Sequence, residues 1–385
     1  MKQVTRKVLI AFIAGTLIIT ATGSIPTFAG TKTIAATFDS ASFTKVIKAN
    51  GNKNTVYSPL SVKFCLAIAM EGAGSGVKKE MENALGTTAN IEKLYKNNKD
   101  IKDTAISNSL WADNGLTINA KTRKNIASRL DADILSADLQ SAGIVKKVNN
   151  YVKENTNGFI PVLINEPYAD SVKAVLMNTV YMKGTWTSEF DKYSTYDDNF
   201  NGKNVPTMHQ TEHFNYAKKG KLKCVELPYT NGMSMYIVEP VSKKNDILKI
   251  WNSLSAANKE KVANGKYFNM ADTNIELSMP KFTTNSDLAL TDTLKALGIN
   301  RVFTTKNALP NIAKDLHISE VQQVAKIKCD EKGTEAAAVT QAILETTSIA
   351  EPELTVKFAV DRPFMYFIRD NKSNSTWFMG YIVAL

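Results

Sequence analysis

The sequence predicts an α+β fold with large antiparallel or mixed sheets. Three observations predict it. Helix-spaced apolar residues crowd the first part of the chain, strand patterns take over from Val205 onward, and the chain ends in two strand runs joined by a polar turn. The chain has 385 residues, 44% of them hydrophobic and 22% charged, which is ordinary globular composition. No Pro/Gly/Ser-rich linker, internal repeat or low-complexity tract divides it, so one large domain over residues 30–385 is the expectation.

Residues 1–29 read differently. Lys2, Arg6 and Lys7 precede an almost unbroken apolar run from Val8 to Ile19, and small and polar residues lead to Thr27-Phe28-Ala29. That order is the grammar of a secretory signal peptide, removed after Ala29. The run is short for a membrane span. A secreted, extracellular protein is therefore expected, with no membrane attachment after removal.

Next come Phe38, Phe43, Val46 and Ile47 at helical spacing. Ser61 to Met70 follows Ser58-Pro59 and is apolar on nearly every side, which requires a helix buried in the centre of a large core. Gly72 to Gly76 stops it, and Val77 to Leu85 resumes a helix. Asn149 to Asn157 reads as helix and Val172 to Lys183 as a long buried strand. The segments Phe214 to Tyr216, Lys223 to Tyr229, Ser234 to Glu239 and Ile275 to Phe282 read as successive strands. Leu288 to Leu297 reads as helix stopped by Gly298, and Arg362 to Arg369 with Thr376 to Val383 as a hairpin.

Charge and chemistry exclude several function classes. The formal charge of +10 falls by three when residues 1–29 leave, and the lysines are scattered. Lys93, Lys96, Lys99 and Lys102 fit a solvated helix face better than a nucleic-acid or polyanion site. Cys65, Cys224 and Cys329 are too few and too dispersed for a disulfide framework or a metal site, and are expected as buried free thiols. His209-Gln210-Thr211-Glu212-His213 matches the H-x-x-E-H pattern of one metalloprotease class. That chemistry needs a helix, whereas Val205, Pro206, Phe214 and Tyr216 imply an extended strand, in which residues four apart stand roughly 13 Å from each other. No nucleophile, base and orienter come together elsewhere, so neither an enzyme nor a cofactor is expected.

One segment resists a bland reading. From Glu331-Lys332-Gly333 the chain runs Thr334-Glu335-Ala336-Ala337-Ala338-Val339-Thr340-Gln341-Ala342-Ile343-Leu344. As a helix it has no apolar stripe and too many β-branched residues. Read with period two, Thr334, Ala336, Ala338, Thr340, Ala342 and Leu344 form one face, small at first and always uncharged, and the other face holds the charges. A strand so built can slide into the middle of an existing sheet. Glu345 to Pro352 then reads as an exposed loop.

Here the sequence resembles the serpin family across essentially everything after residue 29. Glu331 to Ala338 is similar to the hinge of inhibitory members, and Ser58-Pro59-Leu60-Ser61 to the start of their central buried helix. Asn178 to Trp186 resembles the strand and gate segment around the sheet opening. Glu226-Leu227-Pro228-Tyr229, Met279-Pro280-Lys281-Phe282, Leu297-Gly298-Ile299, Asp361-Arg362-Pro363-Phe364 and Phe378-Met379-Gly380 follow in family order. The resemblance implies a large central β-sheet with further sheets and an exposed reactive loop. It implies a monomeric protease inhibitor acting as a suicide substrate: cleavage lets the hinge insert into the sheet and traps the covalent acyl-enzyme of a serine protease. By family spacing the reactive bond is Thr347–Ser348, with neighbouring bonds from Leu344 to Ala350 open. A small β-branched Thr347 points to elastase-like or subtilisin-like targets. Inhibition of cysteine proteases, or a non-inhibitory binding role, are the alternatives. Site residues carried over are Glu331, Gly333, Thr334, Glu335, Ala336, Ala337 and Ala338 in the hinge. Around the opening they are Ser58, Ser61, Asn178 and Trp186, with Lys281 paired to Glu331. Gln323 stands where many members have a histidine.

Overall fold

The computed structural model describes residues 38–86, 90–319, 321–334 and 354–385. The expected signal peptide, the hinge residues Glu335 to Ala338 and the expected reactive bond Thr347–Ser348 lie outside these.

Helices lead the chain as expected. They are α1 (Phe38–Ala49), α2 (Pro59–Gly72), α3 (Ser75–Leu85), α4 (Ile91–Asn98), α5 (Ala120–Leu130) and α6 (Gly143–Asn155). Interleaved with them are β1 (Thr55–Tyr57), β2 (Thr104–Asp113), β3 (Ala132–Ala137), β4 (Ala174–Met182) and β5 (Gly184–Thr185). Strands then dominate: β6 (Thr195–Phe200), β7 (Lys203–Lys219), β8 (Leu222–Pro228) and β9 (Met233–Pro240). After α7 (Ile247–Ser253) and α8 (Ala256–Ala263) come β10 (Ala271–Pro280), β11 (Phe282–Ala289), α9 (Thr291–Lys295) and α10 (Arg301–Thr304). The last strands are β12 (Gln322–Asp330), β13 (Gly333–Thr334), β14 (Val356–Ala359), β15 (Phe364–Asp370) and β16 (Ser375–Ile382). Among the described residues no helix is long and apolar enough to cross a membrane.

The largest sheet has nine strands in the order β1-β16-β15-β9-β8-β7-β10-β14, with β6 beside β7. Two smaller ladders, β11-β12-β13-β5 and β3-β2-β4, share the chain that runs from β4 through Lys183 into β5. Helix α2 is the hub. Ser58 caps it by accepting from the Ser61 N–H, Pro59 opens it, and Leu60, Phe64, Ile68 and Ala69 are among its many buried residues. Its one buried cation, Lys63, is neutralised by Asp39 of α1 at 2.6 Å.

The structure corrects several sequence expectations. Leu288 and Ala289 finish β11, opposite Gln323 and Gln322, so the helix shrinks to Thr291–Lys295; the alternating burial of Phe282 to Ala289 is a strand signature outweighed in the sequence by helix formers. Ile275 to Phe282 is two strands in two sheets, with Lys281 at the joint. Phe214 to Tyr216 is a fragment of the much longer β7. Strand β4 is only partly buried: Met177, Thr179, Tyr181 and Met182 are buried and its other positions are half-buried. Cys224 and Cys329 are buried free thiols, but Cys65 is only half-buried and lines a cavity.

Candidate functional site

The hinge turns back on itself. Asp330 and Gly333 form a register pair, so Glu331 and Lys332 make a tight reversal between β12 and β13. The Asp330 carboxylate accepts from the Lys332 N–H at 3.1 Å and fixes that turn. Strand β13 pairs antiparallel to β12 on one side and to β5 on the other. The strands flanking it are therefore parallel to each other, and the first two hinge residues already occupy the position of a strand between them.

Only glycine fits the turn. Gly333 has φ +150°, and a Cβ there would sit inside the carbonyl oxygen of Gly184. Gly184 is equally confined, since a Cβ on it would run into the Tyr229 ring and Met182. The next residue, Thr334, is 1% exposed, and its hydroxyl is 2.6 Å from the Tyr229 hydroxyl. Burial pushes the Tyr229 phenol well up, so it remains a neutral hydrogen-bonding partner.

Trp186 braces the reversal from the other side. It stacks on Tyr229 with centroids 4.4 Å apart, and its indole N–H donates to the Asp330 carbonyl at 3.0 Å. Its backbone N–H donates to the Lys332 carbonyl and that of Phe190 to the Glu331 carbonyl, both at 2.9 Å. The Glu331 carboxylate meets Lys281 at 2.8 Å and accepts from the Thr195 hydroxyl at 3.0 Å. Burial alone would raise its pKa, but the hydrogen bond from Lys281, that from its own backbone and that from Thr195 together hold it below the usual 4.5.

Below the hinge, β4 and β12 face each other across a cavity of about 120 Å³, and among the described residues no ladder joins them. Gln323 lies on the β12 side. Its side chain accepts from the Ser58 N–H at 2.8 Å and donates to the Ser58 carbonyl at 2.9 Å, tying β12 to the start of α2. Asn178 lies on the β4 side and donates to Ser107 O and to Asn108 Oδ1, which pins β4 to β2.

The structure thus brings the carried-over residues into two groups. Glu331, Gly333, Thr334, Trp186 and Lys281 gather at the hinge, and Ser58, Ser61, Asn178 and Gln323 gather around the opening. Sequence reasoning assigned no role to Tyr229, Gly184 or Thr195. The first two stood inside quoted motifs, but nothing local marks Thr195. His209 and His213 lie on β7 with separate partners. His209 stacks on Tyr196 and approaches Asp198 and Ser194 O, whereas His213 faces Asp272.

Comparison with known proteins agrees with this arrangement. The serpin (serine protease inhibitor) family model matches residues 34–385. A serpin-like protein of Methanosarcina acetivorans is 32% identical over 379 residues, covering 90% of this chain and 84% of that protein. The glia-derived nexin of Rattus norvegicus is 31% identical over 372 residues, 88% of this chain and 90% of that one. The native state of the thermophilic serpin tengpin superposes with TM-score 0.79 at 27% identity, covering 91% of this chain and 93% of that one. Thyroxine-binding globulin in complex with thyroxine also gives 0.79, but at 23% identity this is a likeness of fold alone. With the family matched over nearly its whole length, on a fold its solved members share, the chain belongs to the serpin family of serine protease inhibitors.

Proposed function

We propose that this protein is a secreted, monomeric suicide substrate for a serine protease of elastase-like or subtilisin-like specificity, attacked at Thr347–Ser348. The observation that carries the reading is β13: the hinge is already threaded between β12 and β5, antiparallel to both, directly above the unjoined stretch between β12 and β4, the strand that runs through Lys183 into β5. Attack by the protease serine on the Thr347 carbonyl forms an ester and frees the Ser348 amine. With its tether cut, the small-faced segment after Thr334 continues β13 downward. A dozen or so backbone hydrogen bonds at about 0.5–1.5 kcal/mol net each supply roughly 10 kcal/mol, comparable with the entire stability of a typical domain. That is enough to drag the acylated protease along and distort it before the ester hydrolyses.

The test mixes the intact protein with a panel of serine and cysteine proteases. SDS-resistant conjugates with a serine protease are expected, together with a released C-terminal peptide beginning at Ser348. Quantitative cleavage without conjugate, by every protease in the panel, would sink the proposal. Export is tested by sequencing the amino terminus of protein recovered outside the producing cell; the expected first residue is Gly30.

A further inference from the structure

Two opposite charges are buried where β8 meets β9. Lys223 and Glu239 are register partners in that ladder, and their Nζ and Oε1 atoms stand 2.5 Å apart. Glu239 has no exposed surface at all. The cover over the pair comes from a later part of the chain. Phe358 of β14 places its ring 4.3 Å from the Lys223 ammonium, and Arg362, just beyond that strand, brings its guanidinium to 3.9 Å from the Glu239 carboxylate. Arg362 also donates to the Pro240 carbonyl and pairs with Asp361, which Lys243 holds from outside. Tyr216 of β7 meets the Phe358 ring edge-on, with Lys218 beside its hydroxyl. Among the described residues, Lys223, Arg362, Asp361 and Tyr216 are thus the charged and titratable groups that act on Glu239, with Lys218 and Lys243 one contact further out.

Strand β14 itself is lightly held. It has four residues at the end of the largest sheet, and among the described residues one neighbour, β10, to which it pairs in parallel. Leu354, just before it, is exposed. We propose that Glu239 is a proton-operated catch on β14: when protonated it lets Phe358 and Arg362 close over the pair, and when ionised it favours lifting of that segment so that water reaches the carboxylate. An ionised group without water is costly, and here burial outweighs the attraction of Lys223 and Arg362, raising the carboxyl to about 7. With its cover lifted the carboxyl returns to its ordinary 4.5. The lifted state therefore holds fewer protons between those two values, and rising pH favours it. From about pH 5.5 to about pH 8.5 the opening constant should grow about thirtyfold. Lifting β14 would lengthen the loop that offers the reactive bond, at its far end. That consequence rests on the function proposed above; the catch itself does not.

Amide hydrogen exchange of the full protein, followed by NMR and corrected for the intrinsic pH dependence of exchange, tests the catch without any protease. The Val360 N–H, bonded to the Ser278 carbonyl at 2.8 Å, reports lifting. The Ile237 N–H, on a strand paired on both sides, reports global unfolding. Val360 is expected to open more readily than Ile237 at every pH, with the rise given above. Glu239→Gln, neutral throughout, should abolish the rise. Lys223→Met, which removes the main attraction for the ionised carboxyl, should carry the rise on to higher pH. A flat Val360 opening constant in the wild type, or the same rise in Glu239→Gln, overturns the catch. So does Val360 exchange no faster than that of Ile237, since β14 would then lift only with the whole fold. Should Glu239→Gln fail to fold, an unmoved rise in Lys223→Met overturns it equally. If the exchange behaves as expected but no protease in the panel forms a conjugate, the catch stands and the suicide-substrate reading falls.

Discussion

Replacing Thr334 with arginine tests the hinge at the point where the structure is least forgiving. The threonine side chain is 1% exposed, is bonded to Tyr229 and lies between β12 and β5. An arginine there loses the hydroxyl contact, worth about 1 kcal/mol, and must either bury an unpaired charge at a cost of several kcal/mol or pull β13 out of the sheet. If the arginine pulls β13 out, insertion must first return this position to the sheet, so the penalty falls on the barrier. If about 3 kcal/mol appears there, insertion slows by roughly a hundredfold, since each 1.36 kcal/mol is a factor of ten in rate. Hydrolysis of the acyl-enzyme then wins: if insertion in the wild type outpaces hydrolysis about tenfold, the conjugate fraction should fall from about nine-tenths to about one-tenth. Densitometry of SDS gels over a range of protease to inhibitor ratios gives that fraction directly. Thr334→Val, which keeps size and loses only the hydroxyl, should retain most of the trapping. An undiminished conjugate yield in Thr334→Arg would refute the claim that β13 leads the inserting strand.

Other substitutions probe the surrounding parts. Gly333→Ala should displace β13, because its Cβ collides with the Gly184 backbone; loss of the strained conformation and its ladder is worth about 1–3 kcal/mol, read as faster hydrogen exchange at Thr334. Gln323→Leu leaves the Ser58 N–H without its partner, whereas the Ser58 carbonyl keeps the Val62 N–H, and denaturant unfolding should show a loss of about 1–3 kcal/mol. Glu331 has a depressed pKa, so its contribution is complete above its ordinary 4.5 and disappears as pH falls through the folded value. Trp186 emission should therefore change in acid in the wild type and not in Glu331→Gln. Glu239 behaves oppositely: burial outweighs the attraction of Lys223 and Arg362 and raises it to about 7. The native protein then binds the extra proton between about pH 4.5 and 7, and this site's contribution is lost as pH rises through 7; Glu239→Gln should flatten the melting temperature across that window.

Much of this was legible in the residues. Ser58-Pro59 before an all-apolar run marks a buried helix start, which is a local pattern; the period-two segment after Thr334 lies outside the described residues. The Lys281–Glu331 pair joins the β10–β11 joint to the β12–β13 reversal across 50 positions of chain, so it came only through the resemblance. Thr195 was illegible for the same reason, since its hydroxyl reaches Glu331 across 136 positions of chain. Leu288 to Leu297 misled because leucine and alanine suit a helix, whereas pairing with β12 decided the outcome. The cavity is a property of two strands that fail to meet, and no single stretch of sequence records a missing ladder.

The register of β13 also works as a ruler. Thr334 stands level with Gly184 and Cys329, and a fully extended strand advances about 3.4 Å per residue. Continued in register, the chain would bring Thr340 to the height of Asn178 and Gln323, and Thr347 would come to rest about 44 Å from where Thr334 sits. On the function proposed above, whatever is esterified to that threonine would be carried past the ends of β4 and β12, which begin at Ala174 and Gln322.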